Sequence, residues 1–354
     1  MPRFPIPTSL LVLPCIAIIA TGASAQGERK AVSGSSVAIY NIAGKVTVEP
    51  GTGSDVIVEI TRGGSGGARL SVEVGDVRGT NALRVIYPDD DIVYPTLGRW
   101  SNSSFTVGRD GTWGHDRGDW GSGRRIRVRG SGSGLEAWAD LRILVPAGKR
   151  VEVNHGVGEL SASRVNADLR LDVASAHVTV NGTKGNLRVD AGSGGLDVRD
   201  ASGDEITLET GSGGVVVNGL SGRRVRLDTG SGGLSGGSVT ADDLNADVGS
   251  GSIRLDDVKV SRAKFDAGSG GINVTLATPV TSLDVDAGSG GVTITVPANL
   301  GAEVDIETGS GGIDTDFPVQ VTRMERHHLR GRIGDGSARI HIESGSGSVR
   351  LKKI

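Results

Sequence analysis

A Gly-Ser-Gly word, preceded by one alternating strand pattern and followed by another, returns with its first glycine at Gly192, Gly211, Gly230, Gly249, Gly268, Gly288, Gly309 and Gly345. The steps are 19, 19, 19, 19, 20, 21 and 36 residues. Two looser copies, NHGVGEL at 154–160 and DVASAHV at 172–178, precede them at eighteen-residue steps and carry the period back to about residue 150. A period near twenty marks a solenoid, in which one turn of chain cannot bury its apolar face alone and closes it against the next turn.

Within a period the alternation has a step of two. In VRLDTGSGGL, Val225, Leu227 and Thr229 share one face while Arg226 and Asp228 point away, the pattern of a strand with one buried side. After the glycine word a second strand begins with Leu196, Val215, Leu234, Ile253, Ile272, Val292 and Ile313, and Val198, Val217, Leu255, Val274 and Ile294 follow two residues later. A third recurring position, Val165, Thr183, Ala201, Leu220, Val239 and Val258, marks a return corner. The fold class expected is all-β, a parallel β-solenoid (β-helix) of about 18–21 residues per coil. Glycine belongs in the corner word because the chain turns sharply there, with φ values or backbone approaches that other residues resist.

Composition agrees with a thin aliphatic interior. Of 354 residues 58 are glycine and only 3% are aromatic, so Val, Ile, Leu and Ala must fill the core. The first 25 residues differ: Arg3, a mostly apolar run from Ile6 to Ala20, and Ala23-Ser24-Ala25 read as a secretory signal peptide with its cleavage site. No later stretch approaches the length of a membrane helix, which predicts no transmembrane segment after cleavage. Cys15, the one cysteine, lies inside the signal, so neither disulfides nor thiolate metal sites are expected in the exported chain. A net charge of −3 gives no electrostatic reason to expect nucleic acid.

The predicted organisation is a signal peptide over 1–25, N-terminal β coils or a cap over 26–85, an insert over 86–138 and the solenoid repeat over 139–354. The insert breaks the pattern with PDDDIVYP, GRWSNSSF and GTWGHDRGDWGSGRRIRVRGSGSG, and holds all four tryptophans. It is expected to be a hairpin or loop. A second interruption, Phe317 to Ser337, accounts for the step of 36.

The segments LRILVPAGKRVEVNHGVGELSAS, the serial TGSGG turns and the final LRGRIGDGSARIHIESGSGSVRLKK resemble a bacterial family of exported β-solenoid domains of unknown function that carries the label "putative adhesin". The resemblance covers roughly residues 35–85 and 139–354. It implies a stacked β-coil in an exported, envelope-associated protein, in the periplasm or at the cell surface, and brings no catalytic residue. This chain departs from the family in having Gly195, Gly214 and Gly233 where an Asp or Asn often closes the turn, and in the Trp-rich insert.

Several short words imitate catalytic motifs. Asp228-Thr229-Gly230-Ser231 matches the surroundings of an aspartic-protease carboxylate, but Glu209, Asp247, Glu307 and Glu343 hold the same place in other coils, and a protease needs two lobes to pair its carboxylates. Gly63 to Gly67 fits a nucleophile elbow with no helix after it. Glycine words that join strand to strand do not cradle phosphate as those opening a helix do. The acidic positions Asp172, Asp190, Glu209, Asp228, Asp247, Asp266, Asp286, Glu307 and Glu343 should form a column along one outer edge, flanked by Arg188, Arg226 and Lys264. It is expected to be a wet edge of turn-capping carboxylates, because the sixth position of the word lacks the regular aspartate of calcium-binding coils. His115, His155, His177, His327, His328 and His341 show no zinc-helix spacing and are expected at the surface or in loops.

No catalytic residue, cofactor or metal site is therefore predicted. The expected function is that of a non-enzymatic exported scaffold or adhesive module, with a polysaccharide-binding or polysaccharide-cleaving β-helix protein as the alternative. The ligand-binding candidates are Trp100, Trp113, Trp120, Arg124, Arg125 and Arg127, indoles and guanidinium groups able to stack on sugar rings or engage anionic glycans. The partner classes expected are a surface glycan or an envelope protein. Some of the tryptophans are alternatively expected to cover an end or side of the solenoid as a satellite core.

Overall fold

The computed structural model describes residues 27–114 and 123–354; the predicted signal peptide, His115, Arg117 and Trp120 lie outside the described residues. Parallel strands pair from coil to coil with the partners the period requires. Val189 is the neighbour of Leu208, Leu208 of Leu227, Leu227 of Ala246, Ala246 of Phe265 and Phe265 of Val285. All these side chains are buried. The largest, Phe265, stacks on the smallest, Ala246, so the extra volume of one coil is taken up where its neighbour is small.

A coil has three sides. In the coil that contains Val215–Thr229, the pairing to the next coil runs over Val215–Asn218, Leu220–Gly222 and Arg224–Thr229. The glycine word forms the corner that follows the third side. The return corner is a column of left-handed backbone: Arg164, Gly182, Asp200, Gly219, Ser238 and Asp257 have φ of 55°, 67°, 51°, 73°, 53° and 50°. Each stands immediately before one of the buried return positions, Val165, Thr183, Ala201, Leu220, Val239 and Val258.

At the glycine corner the constraint is close approach. A Cβ added to Gly232 would lie 1.9 Å from the carbonyl oxygen of Gly213, and one on Gly270 would lie 1.8 Å from that of Gly251. Coil backbones stack with no room for a methyl group between them. The last glycine of the word is different, because a Cβ on Gly214 would meet nothing nearer than 3.4 Å and one on Gly312 nothing within 4 Å.

The hydroxyl before the word completes the corner. Thr229 Oγ1 is buried, donates to the Gly213 carbonyl of the preceding coil at 2.8 Å and accepts from the Gly232 N–H of its own turn at 3.1 Å. Thr210 and Ser344 repeat the arrangement. The Asp-Thr-Gly-Ser word is thus built for a corner, with Asp228 on the outer face against Arg226 at 3.0 Å.

The N-terminal region supplies the first coil and its cover. Ser36–Pro50 stacks in parallel beneath Arg150–Ser163. On its far side Thr80–Ile86 pairs with it and forms an antiparallel hairpin with Ser71–Val77, and Glu28–Val32, Val56–Gly63 and Trp138–Val145 form an antiparallel edge. A buried polar corner joins these parts. Asn41 Nδ2 donates to the Ala139 carbonyl at 2.7 Å, Tyr87 hydroxyl contacts Asn41 Oδ1 and the Ala43 carbonyl at 3.1 and 3.0 Å, and His155 Nε2 lies 3.1 Å from the Gly44 carbonyl. His155 is fully buried, which corrects its expected surface position; its imidazole takes the place of a core side chain beside Asn41, its register partner.

At the other end the coil order departs from the chain order. Ala338–Ser344 pairs with Ser282–Ala287 on one side and Ala302–Thr308 on the other, and Val349–Lys353 lies likewise between Val292–Val296 and Ile313–Thr315. The coil of residues 302–315 thus stands one place beyond its sequential position, and the last coil fills the gap. The interruption expected over 317–337 is structured: Gln320–Glu325 and His328–Ile333 form an antiparallel pair laid against Ala302–Thr308. The acidic column accordingly runs Asp286, Glu343, Glu307, which corrects the order read from the sequence.

Candidate binding surfaces

The insert folds as a small sheet of its own. Asn102–Val107 and Arg124–Arg129 are antiparallel partners, and Asp91–Val93 pairs in parallel with Arg124–Arg129 and with Leu135–Glu136. Alternation follows from RRIRVR: Ile126 and Val128 are buried, and Arg125 and Arg127 are exposed on the opposite face. Phe105 and Trp113 attach the sheet to the solenoid. Their rings lie 5.1 Å apart, tilted by 37°, and Phe105 rests on Gly156, where an added Cβ would meet its ring at 2.5 Å.

The five binding candidates among the described residues, Trp100, Trp113, Arg124, Arg125 and Arg127, are not gathered into one patch. Trp100 sits on the turn after Gly98 with 90% of its surface in solvent, whereas Trp113 is 5% exposed and presents no open face. Arg124 shares the inward parity of Ile126; it is held by Asp90 at 2.9 Å and by the carbonyls of Pro88 and Tyr87. Arg125 donates to Ser104 Oγ at 2.9 Å, and Arg127 lies 3.4 Å from Asp91. Trp138 packs with Tyr94 at 5.7 Å over Gly63 and Gly64. Among the described candidates, Trp100 at one end of the hairpin and Arg125 and Arg127 along it point outward. Where the insert meets the turn at Arg69, that residue, Asp89, Asp90, Arg124 and Glu136 line an open charged groove of about 760 Å³.

The acidic column is the second surface. In register along the coils stand Asp172, Asp190, Glu209, Asp228, Asp247, Asp266, Asp286, Glu343 and Glu307. Its first half is compensated. Arg188 lies 2.9 Å from Glu209 and 3.8 Å from Asp190, and Arg226 spans Glu209 and Asp228 at 3.5 and 3.0 Å. Asp172 is the exception to the wet edge: it is 3% exposed, under the insert, where an added Cβ on Gly114 would lie 3.5 Å from its carboxylate and 2.7 Å from Asn154 Oδ1. Further along, burial first and then the carboxylates of Asp247 and Asp286 push the Asp266 carboxyl upward.

The site that sequence reasoning missed is at the far end of this column. His328 Nε2 lies 2.7 Å from Asp305 Oδ1 and 3.4 Å from Glu307 Oε1. Asp305 and Glu307 alternate outward along one strand, which was legible, but His328 reaches them through an antiparallel turn that the coil period does not contain.

Among the described residues no helix is long and apolar enough to cross a membrane. A family model described as Toastrack DUF4097 matches residues 139–352. No curated protein matches the chain. A crystal structure of a "putative cell adhesion protein" from Clostridium sporogenes is similar at 12% identity, over 92% of this chain and 98% of that one, with a TM-score of 0.21; superposition at that level bears on neither fold nor function.

Proposed function

On the premise that the chain belongs to the Toastrack DUF4097 family, matched over residues 139–352, we propose that it is a non-enzymatic, exported scaffold that displays the insert for binding an anionic surface glycan or an envelope protein. The observation that carries this reading is Trp100, an indole 90% exposed on a turn closed by backbone bonds from Ser101 to Gly98 and from Gly130 to Ser101. An indole pairs a large apolar face with a polar edge, and tryptophan and arginine are among the residues that most often carry binding energy. Arg125 and Arg127 lie on the adjoining hairpin face, where they can pair with carboxylate or sulfate groups while a sugar ring stacks on Trp100. The solenoid contributes rigidity, because its interior is filled by aliphatic columns, and one outer row is crossed by ion pairs between coils, Arg224 with Glu205 and Arg262 with Asp243.

Glycan-array and envelope-fraction binding by the purified chain tests the proposal. Retention on acidic polysaccharide or an envelope protein, lost in a Trp100→Ala, Arg125→Ala variant with unchanged melting temperature, is the expected result. An intact protein that binds neither class would overturn it. Incubation with uronic-acid polymers, read by reducing ends and unsaturated products, tests the alternative of cleavage; turnover there would replace the scaffold reading.

A further inference from the structure

The row of cations that accompanies the acidic column stops before the column does. Two residues before each column carboxylate, on the same outer face, the coils carry Arg188, Thr207, Arg226, Asn245 and Lys264 and then Asp284, His341 and Asp305. From the strand Ser282–Ala287 onward both rows are acidic or imidazole: Asp284 with Asp286, His341 with Glu343, Asp305 with Glu307. Strand neighbours are about 4.8 Å apart, so five carboxylates share a small face. The next row contributes Arg339, exposed between Ser282 and Glu303, and Arg332, which is engaged by Glu303 at 2.6 Å. Arg330 is the register partner of Asp305 on the strand that also carries His328, so one guanidinium flanks the group against five carboxylates.

Into this face the strand His328–Ile333 brings an imidazole. His328 is the register partner of Glu307 and reaches across to Asp305, and the three ligand atoms lie within 4.8 Å of one another. We propose that Asp305, Glu307 and His328 bind a divalent transition-metal cation, zinc being the best match, with Glu343 and His341 on the adjoining strand as outer partners.

The choice of metal follows from the donors. One imidazole nitrogen and two carboxylate oxygens suit a borderline cation such as zinc, whereas calcium takes six to eight oxygen ligands. Ligand atoms around a tetrahedral zinc are about 3.3 Å apart, given bonds of about 2.0–2.1 Å. Glu307 Oε1 already stands 3.4 Å from the imidazole nitrogen. Asp305 Oδ1, now hydrogen-bonded to His328 at 2.7 Å, needs to open by about half an ångström. Binding displaces the proton shared in that hydrogen bond and places two positive charges among carboxylates that outnumber the cations beside them. His328 is the most enclosed of the three, with 16% of its side chain exposed, against 35% and 50% for Asp305 and Glu307. The site is therefore open on the carboxylate side, with room for water or for a donor from a partner molecule.

Isothermal titration of the chelator-treated full chain with zinc, manganese and calcium chlorides tests this. The expected result is one zinc per chain with micromolar affinity, little heat from calcium, and at least about tenfold weaker zinc binding in both His328→Ala and Glu307→Gln, each verified as folded by its melting curve. Absence of zinc binding by the unaltered chain up to millimolar concentration would overturn the proposal. So would zinc binding that survives His328→Ala unchanged, since the ion would then be held elsewhere on the acidic column.

Discussion

Ile342 is the register partner of Val285. Ile306, which follows Val285 by one coil in the chain, lies on the other side of Ile342. The C-terminal coil is therefore an internal layer, and the coil of residues 302–315 rests on it. Deleting residues 338–354 removes a layer with ladder bonds on both faces. The truncated chain is expected to lose the 302–333 region as well, seen as hydrogen exchange of Ala302–Thr308 rising to the level of an unfolded segment. Retained protection there would contradict this layering.

The two kinds of glycine at the corner give opposite expectations. Gly232→Ala must move the Gly213 carbonyl and should cost about 1–3 kcal/mol or more, whereas Gly214→Asn, with nothing nearer than 3.4 Å, should be close to neutral. Thermal melting of the two variants side by side decides it.

At the return corner, Arg164 holds φ of 55° with an exposed side chain. Relief of the left-handed penalty in Arg164→Gly is partly offset by glycine's greater freedom in the unfolded chain. A net gain of up to about 1 kcal/mol is expected in urea unfolding.

His155 makes the fold sensitive to acid. Burial, working against the hydrogen bond with the Gly44 carbonyl, pushes its pKa down from 6.5 to about 4. Below 6.5 the unfolded chain takes up a proton that the folded chain refuses, so stability is fully present above pH 6.5 and is lost as pH falls toward 4. At about 1.4 kcal/mol per pKa unit the loss is about 3 kcal/mol. Urea unfolding between pH 7.5 and 4 should show this slope, and a folded His155→Gln variant should flatten it.

In the insert, Trp113→Ala empties a buried site against Phe105 and should unfold the small sheet locally, at a cost of about 3–5 kcal/mol. Trp100→Ala, fully at the surface, should leave stability unchanged. Limited proteolysis near residues 102–129 distinguishes them: rapid cleavage is expected only for Trp113→Ala.

The period made most of the stack legible. Position by position, Val225, Leu227 and Thr229 point inward as the alternation requires, because a strand buried on one face has no other solution. The left-handed column was hidden because Arg164, Gly182, Asp200, Gly219, Ser238 and Asp257 share a backbone angle and no chemistry. Coil order at the end was hidden for a different reason: every coil offers nearly the same edge, so sequence specifies that Asp286 has an acidic neighbour but not whether Glu307 or Glu343 supplies it. The cluster at His328 depends on that order and on an antiparallel strand outside the repeat. Trp113 and Trp100 look alike in the sequence; tertiary contact with Phe105 separates them.

Disulfide trapping tests the stacked order most directly. In a background without Cys15, cysteines replacing Thr293 and Arg350, which are register partners, should be about 5 Å apart and close a disulfide in the native protein under mild oxidation. Cysteines replacing Thr293 and Asp314, separated by the inserted coil, should not. Ready bridging of Thr293 to Asp314, with none to Arg350, would show coils stacked in simple chain order and contradict the account.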